Sequence, residues 1–312
     1  MSGMRLYRSL AALERCVDDA PRAVAIGVFD GLHLGHQEIL RRARALAARD
    51  GCRTAVCSFE PMPEEFFAPH APPARLTRFR ERFERLEGLG VDELFCPRFA
   101  AVRALEPEAF IERLLVAGLH ARHVLVGDDF RFGAERRGTV EALAAAGARH
   151  GFDVTEVQPV LADGERISST AIRAALARGD LETARAMLGR DYSMSGRVVR
   201  GLGLGKKLGF PTANVNLKRR RTPIDGIFAA RVGGLGERLL DGVASVGTRP
   251  TIGGGKPLLE VLIFDFDEDI YGRYITVHFV ERLREERHFP DLESLKRQIR
   301  RDVTAARAAL AA

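Results

Sequence analysis

Between residues 23 and 59 two short apolar runs, Ala23 to Phe29 (AVAIGVF) and Arg53 to Phe59, flank a helical pattern from Gln37 to Arg49. A strand, a helix and a second strand in that order form a βαβ unit, and its two strands must run parallel. The alternation continues. Leu76, Phe79, Phe83 and Leu86 mark one face of a helix, Glu93 to Cys96 is a short strand, Pro107 to Ala117 a helix, and His123 to Gly127 another strand. Strands and helices that alternate in this way predict an α/β fold, a parallel sheet covered on both faces.

The pattern changes after two further helices, Ser169 to Ala177 and Leu181 to Leu188, which are separated by Gly179 and Asp180. Beyond Gly189, short strand candidates follow one another between Gly- and Pro-rich turns: Ser195 to Val199, Ile227 to Val232, Gly242 to Val246, Leu258 to Phe264 and Tyr274 to Val280. This spacing predicts a small antiparallel β-barrel. Leu292 to Ala311 has helical periodicity and should close the chain as a helix on that barrel. A chain of 312 residues exceeds the length at which one core normally splits, and the change of pattern sets the expected domains at 1–188 and 189–312.

Charge and cysteine content exclude several classes of function. The net charge of +6 arises from basic residues spread among acidic ones, as in Arg80 to Glu87 (RERFERLE), and only Lys218 to Arg221 is a basic run. That distribution argues against a nucleic-acid surface. Only five of the 48 basic residues are lysines, which points to genomic base composition. No apolar stretch is long enough to span a membrane, and Glu14 and Arg15 interrupt any signal-peptide pattern, so a soluble cytoplasmic protein is expected. Cys16, Cys52, Cys57 and Cys96 form neither a CxxC pair nor a zinc-spaced cluster, and are expected to be reduced thiols, mostly buried.

Three segments of the N-terminal half carry chemistry. Gly27 to His36 (GVFDGLHLGH) stands at a strand-to-helix junction, where a parallel sheet binds ligands and a helix N-terminus offers free N–H groups to phosphate. Gly27, Gly31 and Gly35 permit close approach of the backbone, and His33 and His36 can face one side of the turn and donate hydrogen bonds to a triphosphate. Arg166 to Arg173 (RISSTAIR) opens a helix with the hydroxyls of Ser168, Ser169 and Thr170 and the guanidinium of Arg173, a second anion site. Val126 to Gly133 (VGDDFRFG) ends another strand.

In the C-terminal half, Gly201 to Leu208 (GLGLGKKL) fits neither GxxxxGK[ST] nor GxGxxG. Pro211 to Asn214 (PTAN) offers a hydroxyl and an amide oxygen two residues apart, which can share one face of an extended segment, although alone such a tetrapeptide is usually just a turn. Asp265, Asp267 and Asp269 imitate a calcium loop, but Ile270 and Thr276 stand where glycine and glutamate are required, so a solvated acidic turn is expected.

Taken together, GxFDGxHxGH, ISSTxIR and the longer Gly196 to Val215 segment with PTAN resemble the bacterial bifunctional riboflavin kinase/FAD synthetases, over roughly residues 20 to 305. The resemblance implies a Rossmann-like HxGH nucleotidyltransferase domain, a riboflavin kinase barrel with a terminal helix, and Mg²⁺, ATP, riboflavin, FMN and FAD as cofactor, substrates or products. It implies that His33 and His36 act in adenylyl transfer, that Gly27, Phe29, Asp30, Gly35, Ser168, Ser169, Thr170 and Arg173 bind ATP there, and that Phe59, Asp129 and Phe130 border the flavin. For the kinase it implies Glu260 as general base, Gly205 and Lys206 at the ATP phosphates, Thr212 and Asn214 at the metal, and Arg284 and Glu286 beside the flavin ring. The chain departs from its relatives' usual residues at Met62 and Leu262 (histidine), Ser245 (asparagine) and Phe228 (tyrosine). Both activities are expected, the alternative being one impaired site. The partners expected are small molecules, with no nucleic acid or membrane, and the chain is expected to be a monomer or weak homo-oligomer.

The principal rival is a nucleotidyltransferase with another acceptor, such as phosphopantetheine, since the HxGH turn alone does not name one. The PTAN barrel argues against it. A barrel that reads single-stranded nucleic acid is disfavoured because this half has no tryptophan and its phenylalanines alternate as core positions do.

Overall fold

A computed structural model describes residues 3–16, 18–201, 203, 205, 208–248 and 257–311. The chain forms two compact units, one of Met1–Pro73 and Thr77–Ser168, the other of Ala74–Leu76 and Ser169–Ala312.

In the first unit the described residues form a six-stranded sheet from β1 (Arg5–Tyr7), β2 (Arg22–Ile26), β3 (Arg53–Cys57), β4 (Glu93–Phe95), β5 (Ala121–Gly127) and β6 (Asp153–Val157). Its order is β1-β4-β3-β2-β5-β6 and every pairing is parallel. Helices α1 (Leu10–Cys16), α2 (Leu34–Asp50), α3 (Pro63–Phe67), α4 (Phe79–Gly88), α5 (Phe99–Val102), α6 (Pro107–Phe110) and α7 (Val140–His150) accompany it, and α6 runs on into a π-helical stretch, Ile111–Val116. Alternate residues of the central strands serve two cores. Val24, Ile26 and Val126 pack with Leu114, Leu115 and Leu143, while Ala23, Ala25 and Leu125 pack with Ile39, Leu40 and Leu86 of α2 and α4. That division follows from the two-residue period of a strand, and it explains why the runs are apolar throughout.

Between β2 and β5 the sheet order reverses, since β3 and β4 lie on one side of β2 and β5 and β6 on the other. A cleft forms at such a reversal, beyond the carboxyl ends of the strands. A two-stranded hairpin, β7 (Leu161–Ala162) and β8 (Glu165–Arg166), completes this unit.

The second unit is a closed antiparallel barrel of β9 (Tyr192–Val199), β10 (Ala213–Asn216), β11 (Gly226–Gly233), β12 (Leu240–Thr248), β13 (Pro257–Ile263) and β14 (Tyr274–Arg284), in the order β10-β13-β12-β11-β14-β9. Phe228, Ala230, Val246, Leu259, Val261 and Phe279 are buried, with Phe228 and Phe279 edge to face at 5.2 Å. On the other face, Ile227, Ala229 and Val243 pack against Ala306 and Leu310 of the terminal helix α10 (Leu292–Ala311). Helices α8 (Ser169–Ala177) and α9 (Leu181–Leu188) belong to this unit. Asp180 caps α9 by accepting from Thr183 N at 3.0 Å, and Gly189 ends it with φ 71°, a left-handed conformation that glycine adopts without strain.

Among the described residues no helix is long and apolar enough to cross a membrane. Cys57 and Cys96 are buried free thiols and Cys52 is half-buried; burial pushes all three thiols up from their ordinary range. The acidic turn is tied to α10, with Asp265 accepting both ends of the Arg307 guanidinium at 3.0 Å.

Candidate active sites

The HxGH turn occupies the carboxyl end of β2. His33 is the N-cap of α2, and its Nδ1 accepts from His36 N at 3.3 Å. The two imidazoles stack with centroids 3.7 Å apart, and the His36 ring also meets Phe29 at 5.0 Å. Gly35 leaves this packing undisturbed, since a Cβ there would lie 3.2 Å from His33 Nδ1 and press on the ring. His36 Nδ1 is buried and has no hydrogen-bond partner among the described residues. Desolvation, with repulsion from His33 and Arg82, holds the His36 pKa well below the ordinary histidine range, so this ring is neutral at pH 7 and carries one N–H.

Other predicted residues of this turn act as its framework. Phe29 is buried in the core with φ 56°, and Gly27 donates its N–H to Cys57 O at 3.1 Å. Asp30 is buried and accepts from both the N–H and the hydroxyl of Thr77, at 2.8 and 3.0 Å, while the Thr77 hydroxyl also accepts from Gly31 N. The Asp30 carboxylate therefore pins the loop. Two residues that sequence reasoning did not single out support it as well. Arg82 donates to Val28 O at 2.9 Å and pairs with Glu60 at 3.0 Å, and Ser58 donates to Val28 O at 3.0 Å. Arg82 lies in the mixed-charge segment 80–87, yet it is 1% exposed.

Further residues lie at the ends of neighbouring strands. Phe59 follows β3 and meets Phe99 edge to face at 5.8 Å, in a cluster with Phe66 and Phe67. Met62, where relatives often carry histidine, is fully buried as the N-cap of α3. Asp129 and Phe130 follow β5. The Asp129 side chain is largely exposed, 3.5 Å from Arg166, which is itself chelated by Asp128, and Phe130 stacks on Phe132 at 5.6 Å. The RISSTAIR segment spans the division of the chain: Ser168 belongs to the first unit, and Ser169, Thr170 and Arg173 to the second. Arg173 Nε donates to Ala74 O at 2.8 Å within that second unit.

On the barrel the candidate residues form a row set by strand register. Asn214 pairs with Glu260, Glu260 with Ser245, Ser245 with Ile227, and Ile227 with Arg284. Residues directly opposite one another share a face, and this face, through Ile227, is the one that α10 covers. Phe228 projects to the opposite, inner face, so that departure from the family's tyrosine is a matter of core packing; Leu262 lies under α10 and Ser245 directly beside Glu260.

Two glycines before β10 lie close to Asn214 and Thr212. A Cβ at Gly201 would lie 2.4 Å from Asn214 Nδ2, and one at Gly205 would lie 2.9 Å from Thr212 Oγ1. Lys206 lies outside the described residues. Glu286 reaches Gly247, where any Cβ would fall 2.2 Å from its carboxylate. Its carboxyl is raised by desolvation, then by repulsion from Asp225 and Glu260, which places it within electrostatic range of the row. Arg284 is held by Asp302 through two bonds, at 2.9 and 2.7 Å. The Thr212 hydroxyl and the Asn214 amide oxygen, each with a glycine against it, are hard oxygen donors of the kind that fits Mg²⁺.

A strand-end turn with stacked imidazoles at a helix N-terminus, together with an oxygen-rich row on a barrel, defines a two-unit enzyme that handles nucleotide phosphates. Residues 17–171 match the family model for FAD synthetase, and residues 188–310 match that for riboflavin kinase. The chain is 44% identical over 305 residues to the bifunctional riboflavin kinase/FMN adenylyltransferase of Escherichia coli (strain K12), covering 97% of each. It is 47% identical over 285 residues to the Pseudomonas fluorescens enzyme of the same name, covering 91% of each. A solved structure described as a macrolide-efflux protein from Streptococcus pneumoniae superposes with a TM-score of 0.80 at 30% identity, covering 94% of this chain and 96% of that one. The chain belongs to the bifunctional riboflavin kinase/FMN adenylyltransferase family.

Proposed function

We propose that this riboflavin kinase and FMN adenylyltransferase divides its two reactions between residues 1–188, which adenylylate FMN, and residues 189–312, which phosphorylate riboflavin. The enzyme makes FMN and then FAD. The observation that carries the division is the pairing register that sets Asn214, Glu260 and Ser245 side by side, apart in sequence from the HxGH turn.

In the kinase reaction Glu260 takes the proton of the riboflavin 5′-hydroxyl as its oxygen attacks the γ-phosphorus of ATP. The bond to the β,γ-bridging oxygen breaks, and ADP leaves. Thr212 and Asn214 would hold Mg²⁺, which would neutralise the ATP phosphates. Gly205 and Lys206 are assigned to phosphate binding, and Arg284 and Glu286 to the flavin. The fixed Arg284–Asp302 pair supports such a wall, because a chelated guanidinium keeps its orientation.

In the second reaction an FMN phosphate oxygen attacks the α-phosphorus of ATP and pyrophosphate leaves. His33 and His36, with the free N–H groups at the start of α2, donate to phosphate oxygens as charge accumulates, and Ser168, Ser169, Thr170 and Arg173 bind phosphate. Gly27, Phe29, Asp30 and Gly35 hold the turn against ATP, while Phe59, Asp129 and Phe130 border the flavin. The buried, unpartnered Nδ1 of a neutral His36 supports this role. The enzyme works in the cytoplasm as a monomer or weak homo-oligomer.

The test incubates the pure protein with riboflavin, Mg²⁺ and ATP and follows flavins by chromatography. Riboflavin should pass through FMN to FAD. Untouched riboflavin would overturn the kinase assignment, and FMN that is never converted would overturn the adenylylation site.

A further inference from the structure

Where the chain leaves β14 and enters α10, Arg287, Phe289, Ser294, Arg297, Gln298 and Arg301 line a cavity of about 310 Å³, at the small end of ligand pockets. Ser294, Arg297 and Arg301 recur at helical spacing and share one side of α10. None of the three arginines forms an ion pair with a carboxylate among the described residues, whereas Arg284 and Arg307 of the same unit are each chelated by an aspartate.

Neutral groups nevertheless orient two of them. Arg297 Nη2 donates to Ser294 Oγ at 2.9 Å, and Arg287 Nη2 donates to Gln298 Oε1. The Gln298 side chain, nine-tenths buried, is turned for this by donating its own Nε2 to Asp302 Oδ1 at 2.8 Å. Phe289 lies beneath the Arg287 guanidinium at 5.1 Å. Two cations held by neutral acceptors, with Arg301 beside them and Asp291 the carboxylate within electrostatic range of Arg297, leave positive charge available for an anion, and guanidinium forks match phosphate oxygens.

We infer that this cavity binds a small phosphate anion, either inorganic pyrophosphate or the phosphomonoester of a flavin. The inference does not rest on the division of the two reactions, and its test needs no turnover, so its failure would leave the chromatographic assay untouched.

The full chain is treated with phenylglyoxal at constant ionic strength, with or without inorganic pyrophosphate, FMN or riboflavin, and the modified arginines are mapped by mass spectrometry. Arg297 and Arg301 should be protected by a phosphate-bearing compound and not by riboflavin. Protection at lower concentration by pyrophosphate or by FMN identifies the source. In parallel, calorimetric titration of the same two anions into an Arg297→Gln/Arg301→Gln double variant should show one site fewer, or that site weakened by about tenfold or more. Equal stoichiometry and affinity in wild type and variant, or modification indifferent to phosphate, would overturn the inference.

Discussion

The HxGH turn and the barrel row, the two sites proposed for phosphate chemistry, are assembled differently. In the turn, ten consecutive residues bend from a strand into a helix, and the reactive groups are neighbours because they are close in sequence. On the barrel, Asn214, Glu260 and Ser245 come from three strands and are neighbours only because the pairing register aligns them. A local turn tolerates distant changes so long as its supports, Thr77 and Arg82, remain. A row of partners across strands depends on every register between them, since a slip of one residue turns each side chain to the other face.

The largest effect expected is from Glu260→Gln, which removes the base and leaves the row in register. Riboflavin phosphorylation should fall by about 10²- to 10⁴-fold while FMN supplied directly is still adenylylated. An equal loss in both reactions would erase the distinction between the sites. Next is His36→Ala, for which adenylyl transfer should fall by about 10²- to 10³-fold with FMN formation intact. Gly201→Ala sharpens the contrast further, because its Cβ would displace Asn214; kinase turnover should drop by at least ~10-fold through misplacement, with adenylylation unchanged. Steady-state assays of each half-reaction check all three.

The smallest effect concerns pH. His36 has a depressed pKa in the folded state, so below about 6.5 the unfolded chain binds more protons than the folded one. The stability this neutral ring contributes is complete above that pH and is lost as pH falls further. Denaturant melts of wild type should therefore weaken between pH 7 and 5 with a steeper slope than those of His36→Asn, and identical slopes would remove the buried-imidazole argument.

Much of this architecture was legible in the sequence. The apolar runs foretold β2, β3 and β5, and the helical periods of 169–177, 181–188 and 292–311 coincide with α8, α9 and α10. The β1 strand escaped because three residues are too few to show a period, and β6 because an edge strand reading Asp153-Val-Thr-Glu-Val exposes polar side chains. Helix α7, rich in alanine, buries only Leu143, Ala146 and Gly147 and offers a faint apolar stripe. Within the candidate sites, the glycine-framed histidines stand out in the sequence, whereas Arg82 does not, because its partners, Val28 O and Glu60, are distant in sequence. Glu260 was reachable only through resemblance, since nothing in EVLIF announces that its side chain will stand beside Asn214.

Equimolar Glu260→Ala and His36→Ala variants, mixed and given riboflavin, Mg²⁺ and ATP, test the separation of the two sites most directly. Each alone should yield at most traces of FAD, the first for want of FMN and the second for want of adenylylation. Together they should convert riboflavin to FAD, with FMN passing between them through solution. A mixture that makes no more FAD than either variant alone would contradict the account.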